Sequence, residues 1–158
     1  MMVDQAKDKI LDIPEIQKFQ RNRHPLLFID KITKLIPGKE AQGLKCFSYN
    51  EWFFPSHFDD EPNVPGFIQI ESLVQTFIMT FLSLEECKGR KTNFVSIDNA
   101  KFNKKIVPGD ILTINAFLKS FKRGMAKGNA ESYVNNDAAC SAEFIIIVPD
   151  LFNNFKPK

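Results

Sequence analysis

Only one stretch of this chain can form a long helix, and almost everything after it alternates like a sheet. From Pro65 to Lys88, apolar side chains recur at Phe67, Ile70, Val74, Phe77, Ile78 and Phe81, the period of one helix face. Pro65 suits a first helical turn, and Gly89 suits a stop just past the last one. After Gly89 come NFVSID, KFNKKIV, a turn at Pro108-Gly109-Asp110, ILTINAFLKSF, a turn at KRGM, MAKGNAESYV, a turn at Asn135-Asn136-Asp137 and ACSAEFIIIV. A lone helix buries such a stripe only if strands close around it. The pattern therefore predicts an α+β class, one long helix wrapped by five or six mostly antiparallel strands.

Upstream, LLFIDKITKLI (26–36), Pro37-Gly38 and AQGLKCFS (41–48) read as a hairpin. Residues 3–20 read as an interrupted helical segment, with Pro14 in the first turn of its second piece and Asp12 or Ile13 just before it. Without repeats, low-complexity tracts or a linker, residues 1–158 are expected to form one domain. Its N-terminal helical segment is 1–20 and its tail 150–158.

Composition removes several classes of function. A net charge of +2 gives no footprint for nucleic acid. Cys46, Cys87 and Cys140 are odd in number and lack a C-x-x-C spacing, which predicts free thiols in a reducing compartment. No run approaches the ~20 apolar residues that a spanning helix needs, and the charged N-terminus lacks a signal-type apolar run. A cytoplasmic location follows as the expectation. Sixteen phenylalanines against two tyrosines and one tryptophan suit a dry core or a greasy tunnel.

Glu71 stands on the apolar helix stripe, four residues after Phe67 and three before Val74. Burial there would raise its pKa and keep its proton, as a general acid requires. A hydrated or lysine-paired place at the helix edge is the alternative. His57, in the loop before the helix, is the side chain best suited to act as a base near neutral pH, or else an ordinary surface or packing residue. Gly66 would expose backbone N–H groups at the positive end of the helix dipole, where an oxyanion can sit. Together they offer base, acid and oxyanion donor within fifteen residues.

Other chemistries lack their residues. His57 with Asp59, Asp60 and Glu61 makes a poor metal set when the chain holds only one further histidine. Ser56 beside His57 lacks the G-x-S-x-G elbow, and no phosphate-cradling glycine motif is present. Basic residues gather after residue 100, among them Lys104, Lys105, Lys122, Arg123 and Lys127. They form either a solvated sheet face or a docking patch for an acidic partner.

The stretch HFDDEPNVPGFIQIESLVQ resembles the active-site segment of the 3-hydroxyacyl-acyl carrier protein dehydratases, the FabZ type with FabA as a cousin. That family carries a pattern close to F-F-x-G-H-F-P-x-x-P-x-M-P-G-x-L-x-x-E-A-M-A-Q. Phe53, Phe54, His57, Phe58, Pro62, Pro65, Gly66, Glu71 and Gln75 match it without a gap. FVSIDNAKFNKKIVPGD (94–110) is similar to a second family block, and RHPLLFIDKI (23–32) to an N-terminal one; together the likeness spans roughly residues 20–148. The resemblance implies the hotdog fold and removal of water from a 3-hydroxyacyl thioester to give the trans-2-enoyl product. It implies His57 as base, Glu71 as acid, the Gly66 N–H as oxyanion donor and Gln75 as support for Glu71. Phe54, Val64 and Phe67 would line the acyl tunnel. It further implies a homodimer whose two subunits share each site, possible assembly as a trimer of dimers, acyl carrier protein as partner, and no metal or organic cofactor. Two alternatives are a hotdog acyl-CoA thioesterase, against which His57 speaks, and a catalytically weak acyl-binding or partner subunit.

The chain also departs from the family pattern. Ser56 replaces a glycine, which would strain the loop if that position needs a positive φ. Asp59-Asp60 set two acids after His57. Asn63-Val64 replaces an apolar residue and methionine, and Ser72-Leu73-Val74 replaces Ala-Met-Ala beside Glu71.

Overall fold

The computed structural model describes residues 9–155. A short helix, α1 (Ile13–Phe19), is closed at its start by a capping box, in which Asp12 accepts from the Glu15 N–H and Glu15 reaches back to the Asp12 N–H. Pro14 lies in its first turn. The first part of the expected N-terminal helical segment lies outside the described residues.

Next come β1 (Lys31–Ile36) and β2 (Glu40–Cys46), then the central helix α2 (Gly66–Leu82). Four long strands follow: β3 (Asn93–Phe102), β4 (Ile111–Lys122), β5 (Met125–Val134) and β6 (Asp137–Ile147). All six strands pair antiparallel in the order β1-β2-β4-β5-β6-β3. This single sheet wrapped on one helix is the α+β arrangement that the pattern predicts and the hotdog fold that the resemblance implies. The β4–β5 turn places Arg123 and Gly124 at positive φ, and the β5–β6 turn does the same with Asn135 and Asn136. Such paired values suit two-residue hairpins on twisted strands.

The central helix is more deeply enclosed than its stripe suggests. Every residue from Ile68 to Leu82 is buried except Glu71. Polar residues on its other faces hide this from a periodicity count. Thr76 and Thr80 turn their hydroxyls back onto the Ser72 and Phe77 carbonyls of the same helix, so both are buried at little cost. The sheet makes room for them with small residues. A Cβ on Gly43 would overlap the Thr76 side chain, and one on Gly128 would overlap Phe77 and the Phe117 carbonyl.

Three boundaries differ from expectation. α2 ends at Leu82, six residues before Lys88; the chain turns at Leu84 to enter a 3₁₀ turn (Glu85–Cys87) that buries Cys87. Gly89, at φ +71°, then donates its N–H to Phe19 O. The first strand begins at Lys31 rather than near Leu26, because backbone groups of Leu26 and Phe28 are bonded to the Gln75 side chain. The expected strand KFNKKIV leaves the sheet after Phe102, and Ile106 O instead accepts from the Val64 N–H. The tail is structured as far as residue 155, the rest lying outside the described residues: α3 (Pro149–Phe152) packs Leu151 on the core, and Val148 N–H donates to Gly124 O.

Candidate active site

Glu71 lies on the one side of α2 that the sheet leaves open, between the β3 edge and the segment before β1. Glu71, Val74, Ile78 and Leu82 line a cavity of about 390 Å³, closed on its other sides by Leu26, Phe94 and Ile146. A second groove meets it at Glu71 and adds Phe28, Phe67, Ile70 and Ile97. Phe67, expected on the buried stripe, is 67% exposed and forms the groove's outer wall.

Gln75 fixes the Glu71 carboxyl. Its Nε2 donates to Glu71 Oε1 (2.8 Å) and to Leu26 O (2.7 Å), while its Oε1 accepts from the Phe28 N–H (2.7 Å). A backbone N–H can only donate, so the Phe28 bond sets the orientation of the amide and leaves Nε2 facing Glu71. Burial raises the Glu71 pKa, and the Gln75 bond, which favours the charged form, opposes it in part.

A stability prediction follows from that upward shift. A raised native pKa means full stability below the unfolded value, near 4.5, and loss as pH rises through the folded value. Glu71→Gln removes this loss. The variant should melt above wild type at pH 8, with the gap closing by about pH 4. Melting temperatures across that range check it, and a constant gap would contradict it.

His57 occupies a different depression, with Asn63, Val64, Gly66, Gln69, Phe102 and Asn103, rimmed by Lys104 and Lys105. Its Nδ1 lies 3.0 Å from Asn63 O. A carbonyl only accepts, so Nδ1 carries the hydrogen, and in the neutral ring Nε2 keeps its lone pair for a substrate proton. Phe58 stacks on the imidazole at 4.4 Å between centroids. Asp59 and Asp60 are exposed, and the Asp59 carboxylate accepts from the Asp60 N–H. Ser56 lies in a 3₁₀ turn (Phe54–Ser56) and is absent from the positive-φ residues, so its loop does not require glycine.

Gly66 opens α2 beside His57, where first-turn N–H groups have no acceptor within the helix. A Cβ at Gly66 would stand 3.1 Å from the Phe102 ring. Val64 is buried in the His57 cavity wall. Phe54 lines neither cavity: it is fully buried, stacked against Tyr49 and tilted on Phe53, and belongs to the core. Its neighbours in sequence bring it under the loop, which is why motif position alone points to the tunnel.

The basic residues do not form one patch. Lys104 pairs with Asp137 at 2.8 Å and Lys105 pairs with Glu61. Lys122 and Arg123 are at the β4–β5 turn, and Lys127 just beyond it. Lys122 is opposite Met125, itself opposite Ile147, while Asp137 is ten residues back along β6, so roughly 33 Å separates the groups.

Several residues of the site were not singled out from sequence. Leu26 and Phe28 hold Gln75 through backbone groups, so their side-chain types carry no signal beyond the RHPLLFIDKI likeness. Lys45 is almost fully buried, 2.5 Å from Glu51 and over the Phe47 ring, and ties the loop leading to His57 onto β2. Among the described residues no three His, Cys, Asp or Glu side chains gather to hold a metal ion, and no helix is long and apolar enough to cross a membrane.

Within one chain, then, Glu71 and His57 face different cavities. β3 joins them: Phe94 and Ile97 line the Glu71 groove, and Phe102 closes the His57 cavity. Among the described residues β3 is also a sheet edge that pairs only with β6, and it leaves Phe94, Val95, Ile97 and Phe102 about half exposed.

Comparison with known proteins places this geometry. The FabA-like domain profile matches residues 21–143. The 3-hydroxyacyl-[acyl-carrier-protein] dehydratase FabZ of Clostridium botulinum (strain Langeland) is 43% identical over 141 residues, 89% of this chain and 98% of that protein. The FabZ of Clostridium novyi is 40% identical over 138 residues, 87% and 97% of the two chains. Among solved structures, the dehydratase heterocomplex ApeI:P from Xenorhabdus doucetiae superposes with a TM-score of 0.74 at 11% identity, covering 90% of this chain and 97% of that one. The E. coli PaaI protein gives 0.58 at 10% identity, over 73% and 80%. Sequence likeness across nearly the whole length and a shared fold agree: the chain belongs to the FabA-like family, alongside the FabZ dehydratases.

Proposed function

We propose that this protein is a 3-hydroxyacyl-[acyl-carrier-protein] dehydratase of fatty-acid or related acyl-chain biosynthesis, working as a dimer with shared sites. The observation that carries it is a half-buried Glu71, its pKa raised by desolvation and its carboxyl held by Gln75, in a chain whose relatives are named for that activity. His57 Nε2 takes the C2 proton while Glu71 gives its proton to the departing C3 hydroxyl. Water leaves and the C2–C3 double bond forms. The Gly66 N–H holds the thioester oxygen as negative charge grows there.

The exposed edge of β3 supports the dimer. A second copy paired antiparallel along this edge, about a twofold near the strand's middle, sets Phe102 of one chain near Asn93 of the other. That brings the His57 cavity of each chain against the Glu71 groove of its partner. The half-exposed apolar side chains of β3 would be covered by the same contact. Lys104 and Lys105 rim the His57 cavity and suit the acidic surface of a carrier protein. Lys122, Arg123 and Lys127 are at the far end of the same sheet. Three free thiols, two of them buried, fit a reducing cytoplasm.

The test is hydration of crotonyl-acyl carrier protein, the reverse reaction, followed by loss of enoyl-thioester absorbance. Turnover by the pure protein is expected. A folded dimer silent on short and long chains would favour the acyl-binding reading.

A further inference from the structure

The cavity beside Glu71 ends on positive charge. Its apolar wall runs along α2 from Glu71 past Val74 and Ile78 to Leu82, eleven residues or about 16 Å at 1.5 Å per residue. At the Leu82 end the lining changes to Arg21, Arg90 and Lys91. Two of them are held just past the C-terminal end of the helix: Arg21 donates to Gly89 O, and Arg90 Nε donates to Glu86 O. Among the described residues Glu71 is the only acid in the lining, and it stands at the opposite end.

The rim's charge is only partly spent. Arg90 is paired with Asp150 at 3.3 Å. The Arg23 guanidinium is taken up by the Gln17, Gln20 and Asn22 carbonyls. Arg21 has a single backbone acceptor and Lys91 has no acceptor among the described residues. The C-terminal carbonyls of α2 bring partial negative charge to the same end and help to hold these cations. A methyl-ended chain gains nothing from such a rim, whereas an anionic end gains screened attraction from two or three cations.

We infer that the distal end of this cavity accepts acyl chains tipped with an anion, in the first instance a terminal carboxylate. This rests on the dehydratase reading for the thioester end but concerns the other end of the chain. The apolar wall carries the methylenes, Glu71 works at C3, and Arg21 and Lys91 receive the carboxylate at the mouth.

Two measurements separate the inference from the activity it rests on. The first compares kcat/KM for 3-hydroxyacyl-carrier substrates of equal length ending in methyl or carboxylate. It uses wild type and the double variant Arg21→Gln, Lys91→Gln. Wild type should process both within a few-fold, and the variant should lose about tenfold on the carboxylate-tipped chain with little change on the other. The second is calorimetric binding of decanoate against the neutral 1-decanol, which needs no turnover. The wild-type preference for the anion should fade in the variant and at high salt. Strong wild-type rejection of the carboxylate tip, or a preference that the variant leaves unchanged, overturns the inference. No turnover of either substrate, with the binding preference intact, would instead count against the dehydratase reading alone.

Discussion

Mixing His57→Ala protein with Glu71→Gln protein, unfolded and refolded together, should restore roughly one active site in four. Each variant alone should lose on the order of 10²–10⁴-fold in kcat, the usual worth of a positioned acid or base. The rescue follows from where the two side chains lie. His57 opens into the cavity with Gly66 and Phe102, while Glu71 opens into the groove with Phe94 and Ile97. If β3 pairs across a twofold, one site of a mixed dimer combines both substitutions and the other has none. Random re-pairing makes half the dimers mixed, so a quarter of all sites are whole. Mixing without unfolding should rescue far less if the dimers are stable. Two inactive, folded, dimeric variants that gain nothing on remixing would show that acid and base do not meet across subunits. The thioesterase alternative gives a different pattern: His57→Ala would then spare hydrolysis of acyl-CoA.

The parts of this molecule that depend on local chemistry were legible in its sequence. The hairpin turns at Arg123-Gly124 and Asn135-Asn136, the N-terminus of α2 at Pro65-Gly66, and the start of α1 at Asp12 each need particular residue types at particular φ values or caps. The nearness of His57 to Gly66 was legible for a related reason, since both lie at one helical entry, whereas Glu71 opens into another cavity. What was not legible depends on distant segments. Phe67 falls on the helical period of the core, yet it is exposed because no strand covers that side. Phe54 fits the motif of a tunnel residue, yet the Phe47–Phe53–Tyr49 cluster claims it for the core. The end of α2 at Leu82 depends on Gly89 meeting Phe19, seventy residues earlier in the chain. The basic residues illustrate the same limit: their proximity in sequence after residue 100 is undone by strands long enough to carry them to opposite ends of a sheet.

Gln75→Leu should cost stability and change the pH dependence of catalysis at once. The side chain is fully buried and makes three bonds, to Leu26 O, the Phe28 N–H and Glu71. Leucine fills similar space but leaves the buried Phe28 N–H without an acceptor, at about 1–3 kcal/mol, with a smaller loss at the Leu26 carbonyl. A chain of this size loses roughly 2–4 °C per kcal/mol, so the melting temperature should fall by roughly 2–12 °C. The catalytic change has its own sign. Gln75 donates to the Glu71 carboxylate and favours its charged form, against the burial that favours the neutral one. Without that donor, Glu71 should hold its proton to higher pH. The proposed reaction needs Glu71 protonated, so the alkaline limb of kcat/KM should move upward even as its maximum falls through loss of positioning. A purely structural role predicts the lower melting temperature alone. If the limb stays in place while the melting temperature drops, Gln75 supports the loop at Leu26 and Phe28 and does not tune the acid.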